Sequence, residues 1–152
     1  MDYILNLLGW IGVYAPVGFG AFGSTLGVAI AGQAAIGAML ESEGGYGRFI
    51  GVSVIPSSNV IYGIVVMFSL RQPITTANAG ALFAIGSILS LVLVLTALWQ
   101  GRSLASAISA SKNKPEIFGL SLAPAAVIEG FAVFAFVFAL VLAGGISSGA
   151  QP

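Results

Sequence analysis

Few side chains in this 152-residue sequence can do chemistry, and the one in the least ordinary setting is Glu129. It lies within the apolar run LAPAAVIEGFAVFAFVFALVL, from Leu122 to Leu142. About 20 apolar residues span the hydrocarbon of a bilayer, and an ionised side chain placed there costs at least a few kcal/mol unless it is neutralised or paired. Glu129 is therefore expected to hold a cation. The plain alternative is a carboxylic acid that stays protonated and hydrogen-bonds a neighbouring helix. With no cysteine and no histidine in the chain, disulfides, thiolate catalysis, zinc sites and histidine general bases are excluded.

Three further polar residues fall in apolar surroundings: Ser58, Asn59 and Gln100. Counted inward from Arg48, Ser111 and Ile117, residues Asn59, Gln100 and Glu129 come after nearly the same number of positions, which at about 1.5 Å per residue is one depth. Ile55 and Tyr62 stand three or four residues from Ser58 and Asn59, so one helix face presents a hydroxyl, an amide and a phenol. Any of these alone reads equally well as a hydrogen bond between helices; it is the shared depth that singles them out. An ionised Glu129 with the side-chain oxygens of Ser58, Asn59 and Gln100 offers one negative charge and several neutral oxygens, the ligand set of a hard cation. A proton needs only the carboxylate, so the neutral oxygens favour sodium, yet a protonated glutamic acid also accepts such neighbours. Na+ and H+ both stay open. Pro56 and Pro124 lack an amide hydrogen and orphan the carbonyls of Val52 and Leu120, so the backbone is expected to loosen beside the polar stretches. Arg102 reads as a snorkelling side chain rather than as a partner of Glu129.

The elements that must position these residues follow from composition. The chain is 58% hydrophobic and 7% charged, with a mean hydropathy of +1.05, against about a quarter charged in soluble domains. It reads as an integral membrane protein. Five basic and five acidic residues leave no net charge, so no basic surface exists for nucleic acid. The acidic start Met1-Asp2-Tyr3 is unlike a signal peptide, and no cleaved leader is expected.

Four apolar segments predict an all-α membrane protein of four transmembrane helices in two tandem helical hairpins. The first hairpin, 1–71, holds helices over 4–40 and 49–70; the second, 72–152, holds helices over 77–111 and 117–143. The segment from Ile4 to Leu40 is too long for one crossing, since some 37 residues of helix measure about 55 Å against a core of about 30 Å. It must protrude or break, with Gly12 and Pro16 as the places for a break and the helix proper beginning near Pro16. Asn78 or the Thr75-Thr76 pair is expected to cap the third helix. The glycine-serine end of the chain is expected to be mobile.

Texture supports a duplication with both copies in one orientation. Gly20, Gly23, Gly27, Ala31 and Ala35 in the first helix, and Ala97, Gly101 and Ala105 in the third, are small residues at helical spacing that let backbones approach. The other two helices carry bulk, and Phe131, Phe134, Phe136 and Phe138 suit an outer layer against lipid. Gly18-Phe-Gly20-Ala-Phe-Gly23 spells the dinucleotide fingerprint G-x-G-x-x-G, but no strand precedes it and it reads as packing. Arg48, Lys112 and Lys114 on one side and Arg71 on the other place the intra-hairpin turns in the cytoplasm and both termini outside.

The residues resemble the four-helix proteolipid of vacuolar/archaeal-type rotary ATPases, in particular the bacterial sodium-pumping branch. Ile55-Pro56-Ser57-Ser58-Asn59-Val60-Ile61-Tyr62-Gly63 is similar to that family's L-P-G-T-Q-G-L-Y-G stretch, and Gln100-Gly101-Arg102 and Lys114-Pro115-Glu116 follow it. The resemblance implies that Glu129 is the ion carboxylate, that Ser58, Asn59 and Gln100 give side-chain oxygens, that Ile55 gives its backbone carbonyl, and that Tyr62 hydrogen-bonds the glutamate. Ser at 58 and Asn at 59 depart from the pattern, and the shorter amide leaves the coupling ion, Na+ or H+, open. The resemblance further implies identical subunits in a membrane ring, a stator subunit whose arginine displaces the ion, central-stalk subunits on the cytoplasmic side, and a bacterial plasma membrane. No cofactor and no catalytic residue is expected in this chain, which would be a non-catalytic part of an ATP-driven machine. Rival readings are a small multidrug/proton exchanger built around one membrane glutamate, and a structural membrane protein with Glu129 permanently protonated.

Overall fold

A computed structural model describes residues 2–148. Among them four helical stretches, Asp2–Leu40, Tyr46–Leu70, Ala79–Asn113 and Pro115–Ile146, are long and apolar enough to cross a membrane, and no strand occurs. The protein is an all-α membrane protein whose spans form two tandem hairpins. Two spans are continuous: α1 (Asp2–Leu40) and α4 (Ala79–Asn113). Each of the other two is interrupted. The second is α2 (Tyr46–Ser53), a 3-10 turn at Ile55–Ser57 and α3 (Ser58–Leu70). The fourth is a 3-10 turn at Pro115–Ile117, α5 (Phe118–Ser121) and α6 (Ala123–Ser148), parted at Leu122.

The two unbroken helices form the centre, and glycines bring them together. A methyl group on Gly12 would strike the backbone of Leu82, and one on Gly86 the carbonyl oxygen of Gly12. One on Gly23 would lie 3.3 Å from the Ala97 side chain, and one on Gly101 would meet the backbone of Gly27. These pairs, 12 with 86, 23 with 97 and 27 with 101, keep one constant separation of 74 residues. Only parallel helices hold a constant separation, so α1 and α4 run side by side in register. Small residues at the crossing let van der Waals packing hold helices that gain nothing from hydrophobicity inside lipid. Ala31 and Ala35 continue the buried stripe, and Gly20 and Gly63 bring α3 against α1 in the same way. The G-x-G-x-x-G run is part of this packing.

At the turn end, Lys112 Nζ reaches Glu41 Oε2 at 2.9 Å, so the two intra-hairpin turns lie at the same end of the bundle. The Arg48 guanidinium stands over the rings of Phe49 and Phe118, at 4.7 and 5.3 Å from their centroids. At the other end Val13, Val66, Leu70, Leu82, Leu89 and Leu93 close a core with Ala139 and Ala143 of α6.

Several expectations change. Helix α1 does not break at Gly12 or begin near Pro16; it is continuous from Asp2 with Pro16 inside it. Neighbouring helices support the interruption, as they do for proline in membrane helices: Pro16 is buried, and the carbonyl of Gly12, deprived of its amide partner at Pro16, abuts Gly86. Asn78 occupies the cap position of α4, but its side chain makes no capping bond. Its Oδ1 instead accepts from Thr75 N at 2.8 Å and its Nδ2 donates to Pro73 O at 2.9 Å, fixing the turn, while Thr75, the other expected cap, accepts from Asn78 N through its Oγ1 at 3.3 Å. Helix α6 runs on through Gly144 and Gly145 to Ser148, and the remaining tail lies outside the described residues. Phe131, Phe134 and Phe138 are exposed, whereas Phe136 is half-buried against the ring of Tyr62.

Gly101→Ala is expected to destabilise the protein by about 1–3 kcal/mol, because the methyl meets backbone that cannot give way. Gly37→Ala, with open space around it, is expected to be neutral or slightly stabilising. Thermal unfolding of the two variants in detergent checks the contrast.

Candidate functional site

The interruption of the second span decides where its polar side chains go. Pro56 cannot donate, and a buried hydroxyl from α1 enters the gap: Ser24 Oγ donates to Pro56 O at 3.0 Å and accepts from Val60 N at 3.2 Å. That hydroxyl bridges the Pro56 carbonyl and the Val60 amide, which a regular turn would join directly. With the backbone pinned there, α3 begins at Ser58 and carries Asn59 and Tyr62 on successive turns.

Glu129 is half-buried on α6 and is met from two sides. The Tyr62 hydroxyl donates to Oε1 at 2.5 Å, and Gln100 Nε2 of α4 donates to Oε2 at 2.8 Å. Both carboxylate oxygens therefore have donors, one from α3 and one from α4, and the carboxylate ties three spans at one depth. Hydrogen bonds to a charged acceptor contribute about 1.5–3 kcal/mol each, roughly twice a neutral one. The Tyr62 ring is held by Phe136, stacked at 5.0 Å between centroids. Gln100 Nε2 also donates, at 3.4 Å, to the carbonyl of Ala125, one turn before Glu129.

The other expected residues are placed as follows. Ile55 lines the cleft of about 350 Å³ that Gln100, Leu104, Leu122, Ala125, Ala126 and Glu129 also line. Asn59 is fully buried and turned to α4: its Oδ1 accepts from Thr96 Oγ1 at 2.9 Å and its Nδ2 donates to Pro56 O at 3.3 Å. It is not bonded to Glu129. Ser58 Oγ, one turn before Tyr62, and Gln100 Oε1 are buried oxygens that make no well-formed hydrogen bond in the described structure. Arg102 is exposed with its guanidinium 4.7 Å above the Trp99 ring, and its partner is that ring rather than Glu129.

Sequence reasoning missed Thr96, Ser24 and Phe136. Thr96 stands one turn before Gln100, so α4 presents two polar side chains on one face, the first to Asn59 and the second to Glu129. That four-residue spacing was a readable signal. Ser24 sits in the small-residue stripe and could not be told from packing. Among the described residues no group of three or more histidine, cysteine, aspartate or glutamate side chains could hold a metal ion, so any cation here would rest on one carboxylate and neutral oxygens.

Comparison with known proteins gives two findings. The family model for the ATP synthase C-subunit matches this chain twice, at residues 11–70 and 83–142, one match in each hairpin. The A-type ATP synthase subunit K of Methanocaldococcus jannaschii is similar, 31% identical over 122 residues that cover 78% of this chain. The match covers 56% of that relative, so the chain spans little more than half its length.

Tyr62→Phe keeps the ring on Phe136 and removes the hydroxyl that donates to Glu129 and also meets the Ser58 side chain. It is expected to lower stability by about 1.5–3 kcal/mol, and Tyr62→Ala by more, since the stacking is lost as well. Denaturation midpoints in detergent for the two variants check the order.

Proposed function

Because the chain belongs to the ATP synthase C-subunit family, twice matched along its length, we propose that it is the ion-carrying proteolipid of an A/V-type rotary ATPase. Copies of it form a membrane ring, and Glu129 of each copy takes up and releases one cation, Na+ or H+. Nucleotide is handled by partner subunits, and this chain carries no covalent step. A stator subunit bearing an arginine faces the ring, central-stalk subunits meet its cytoplasmic turns, and lipid surrounds it.

The observation that carries this reading is a single carboxylate at mid-span, half-buried, with a donor on each of its oxygens. Tyr62 and Gln100 soften the cost of the empty, charged form without removing it, since an ionised group at the centre of a bilayer still stands several kcal/mol above a neutral one. A loaded site is neutral and can face lipid. An empty one is confined to a place that supplies positive charge. Movement of the ring is thereby made conditional on loading, which is the coupling the family membership supports. The buried Ser58 Oγ and Gln100 Oε1, neither in a well-formed hydrogen bond, support a site able to add neutral oxygens to the carboxylate.

Carbodiimide applied to membranes holding the complex is expected to modify Glu129 alone among the carboxylates, since Asp2, Glu41, Glu43 and Glu116 lie at the ends of the spans. Glu129→Gln is expected to assemble and to abolish ATP-driven ion uptake. Retained uptake in that variant, or a wild-type Glu129 that the reagent does not touch, overturns the assignment.

A further inference from the structure

The side chain that faces Asn59 belongs to no expected site. Asn59 is completely buried, and Thr96 Oγ1 is the hydroxyl that meets its Oδ1, at 2.9 Å. That hydroxyl has one hydrogen and three acceptors in reach: Asn59 Oδ1, Val92 O at 2.8 Å and Leu93 O at 3.3 Å. The two backbone carbonyls already receive helical amides, whereas a buried amide oxygen left without a donor is costly. The hydrogen therefore points at Asn59. The amide is fastened at its other end as well, Nδ2 donating to the Pro56 carbonyl, which Ser24 also engages.

Among the oxygens that the sequence assigns to the ion, engagement is uneven. Ser58 Oγ and Gln100 Oε1 are buried without a well-formed hydrogen bond, while the amide oxygen on the residue next to Ser58 is taken by Thr96. Resting on the reading that Glu129 carries the ion, we propose that Thr96 is a specificity-determining residue: it competes with sodium for the Asn59 oxygen and so weakens sodium binding at this site. Sodium gathers five or more oxygens at hard-ion distances, so each withheld oxygen counts. When the amide leaves, the Thr96 hydroxyl falls back on Val92 O in its own helix, as threonine does in membrane helices. The exchange is thus a reversible competition rather than a permanent exclusion.

The test uses membranes holding the assembled complex, treated with carbodiimide at neutral pH in graded sodium chloride, with choline chloride keeping the ionic strength constant. Modification of Glu129 is read by mass spectrometry. Thr96→Val removes the hydroxyl at nearly constant shape and is expected to lower the sodium concentration for half-protection by roughly tenfold, the scale of one hydrogen bond. Thr96→Ser keeps the hydroxyl and is expected to match the wild type. The gain is expected to vanish in Thr96→Val combined with Asn59→Ala, which tests that it acts through the amide. Equal or weaker protection in Thr96→Val, a gain that survives removal of the Asn59 amide, or no sodium protection in any of these proteins overturns the proposal. Thr96→Ala takes the place of the valine variant if the latter does not assemble. A wild-type Glu129 left unmodified without sodium defeats the ion-carrier reading itself, a separate outcome.

Discussion

A carboxylate in the middle of a membrane has no water to answer it, and the architecture is arranged around that fact. Glu129 sits on the outer span of the second hairpin, and its two oxygens are served by Tyr62 from the first hairpin and Gln100 from the central helix. Neither donor could reach it unless the spans approached closely at that depth. Glycine sets the approaches at the centre: at Gly12, Gly27, Gly86 and Gly101 the α1 and α4 backbones touch without side chains between them, and Gly63 lets α3 rest on Pro16 of α1. In hydrocarbon a hydrogen bond to an ion is strong, yet it forms only where packing delivers the donor to within a few tenths of an ångström.

Much of this was legible in the sequence because its causes are local or compositional. Four apolar segments, polar turns and two stripes of small residues specify helices, their number and their close partners. Glu129 stood out because a charge in such a run has few ordinary explanations. Tyr62 and Gln100 were readable as its neighbours from depth and from the resemblance, and they do meet it. Other features depend on tertiary contact and had no local signal. Pro16 would break an isolated helix, but here the Gly12 carbonyl it orphans is covered by Gly86, a residue far along the chain. Phe136 was assigned to lipid with the other phenylalanines of its run, yet its position on the helix turns it inward to Tyr62.

Asn59 shows the limit of reading by depth. Sharing a level with Glu129 says nothing of which way a side chain faces, and α4 offers two polar partners one turn apart. The shorter amide side chain is met by the nearer of them, Thr96, while the longer Gln100 side chain reaches across to the carboxylate. Ser24 supplies the complementary lesson. A serine among glycines and alanines looks like one more small residue, but its hydroxyl stands in for a missing helical bond and thereby fixes where α3 starts.

The two interruptions in the outer spans carry a mechanical consequence. An α-helix behaves as a stiff rod only while its ladder of backbone bonds is continuous, and both outer spans lose that continuity, at Ile55–Ser57 and at Leu122. The central pair runs 39 and 35 residues as single helices, and the one rung that Pro16 removes is covered where the Gly12 carbonyl meets Gly86. Each outer span is instead two shorter helices, so the halves that carry Tyr62 and Glu129 take their direction from what they pack against, Ser24 of α1 and Gln100 of α4, rather than from the segments beside the polar turns.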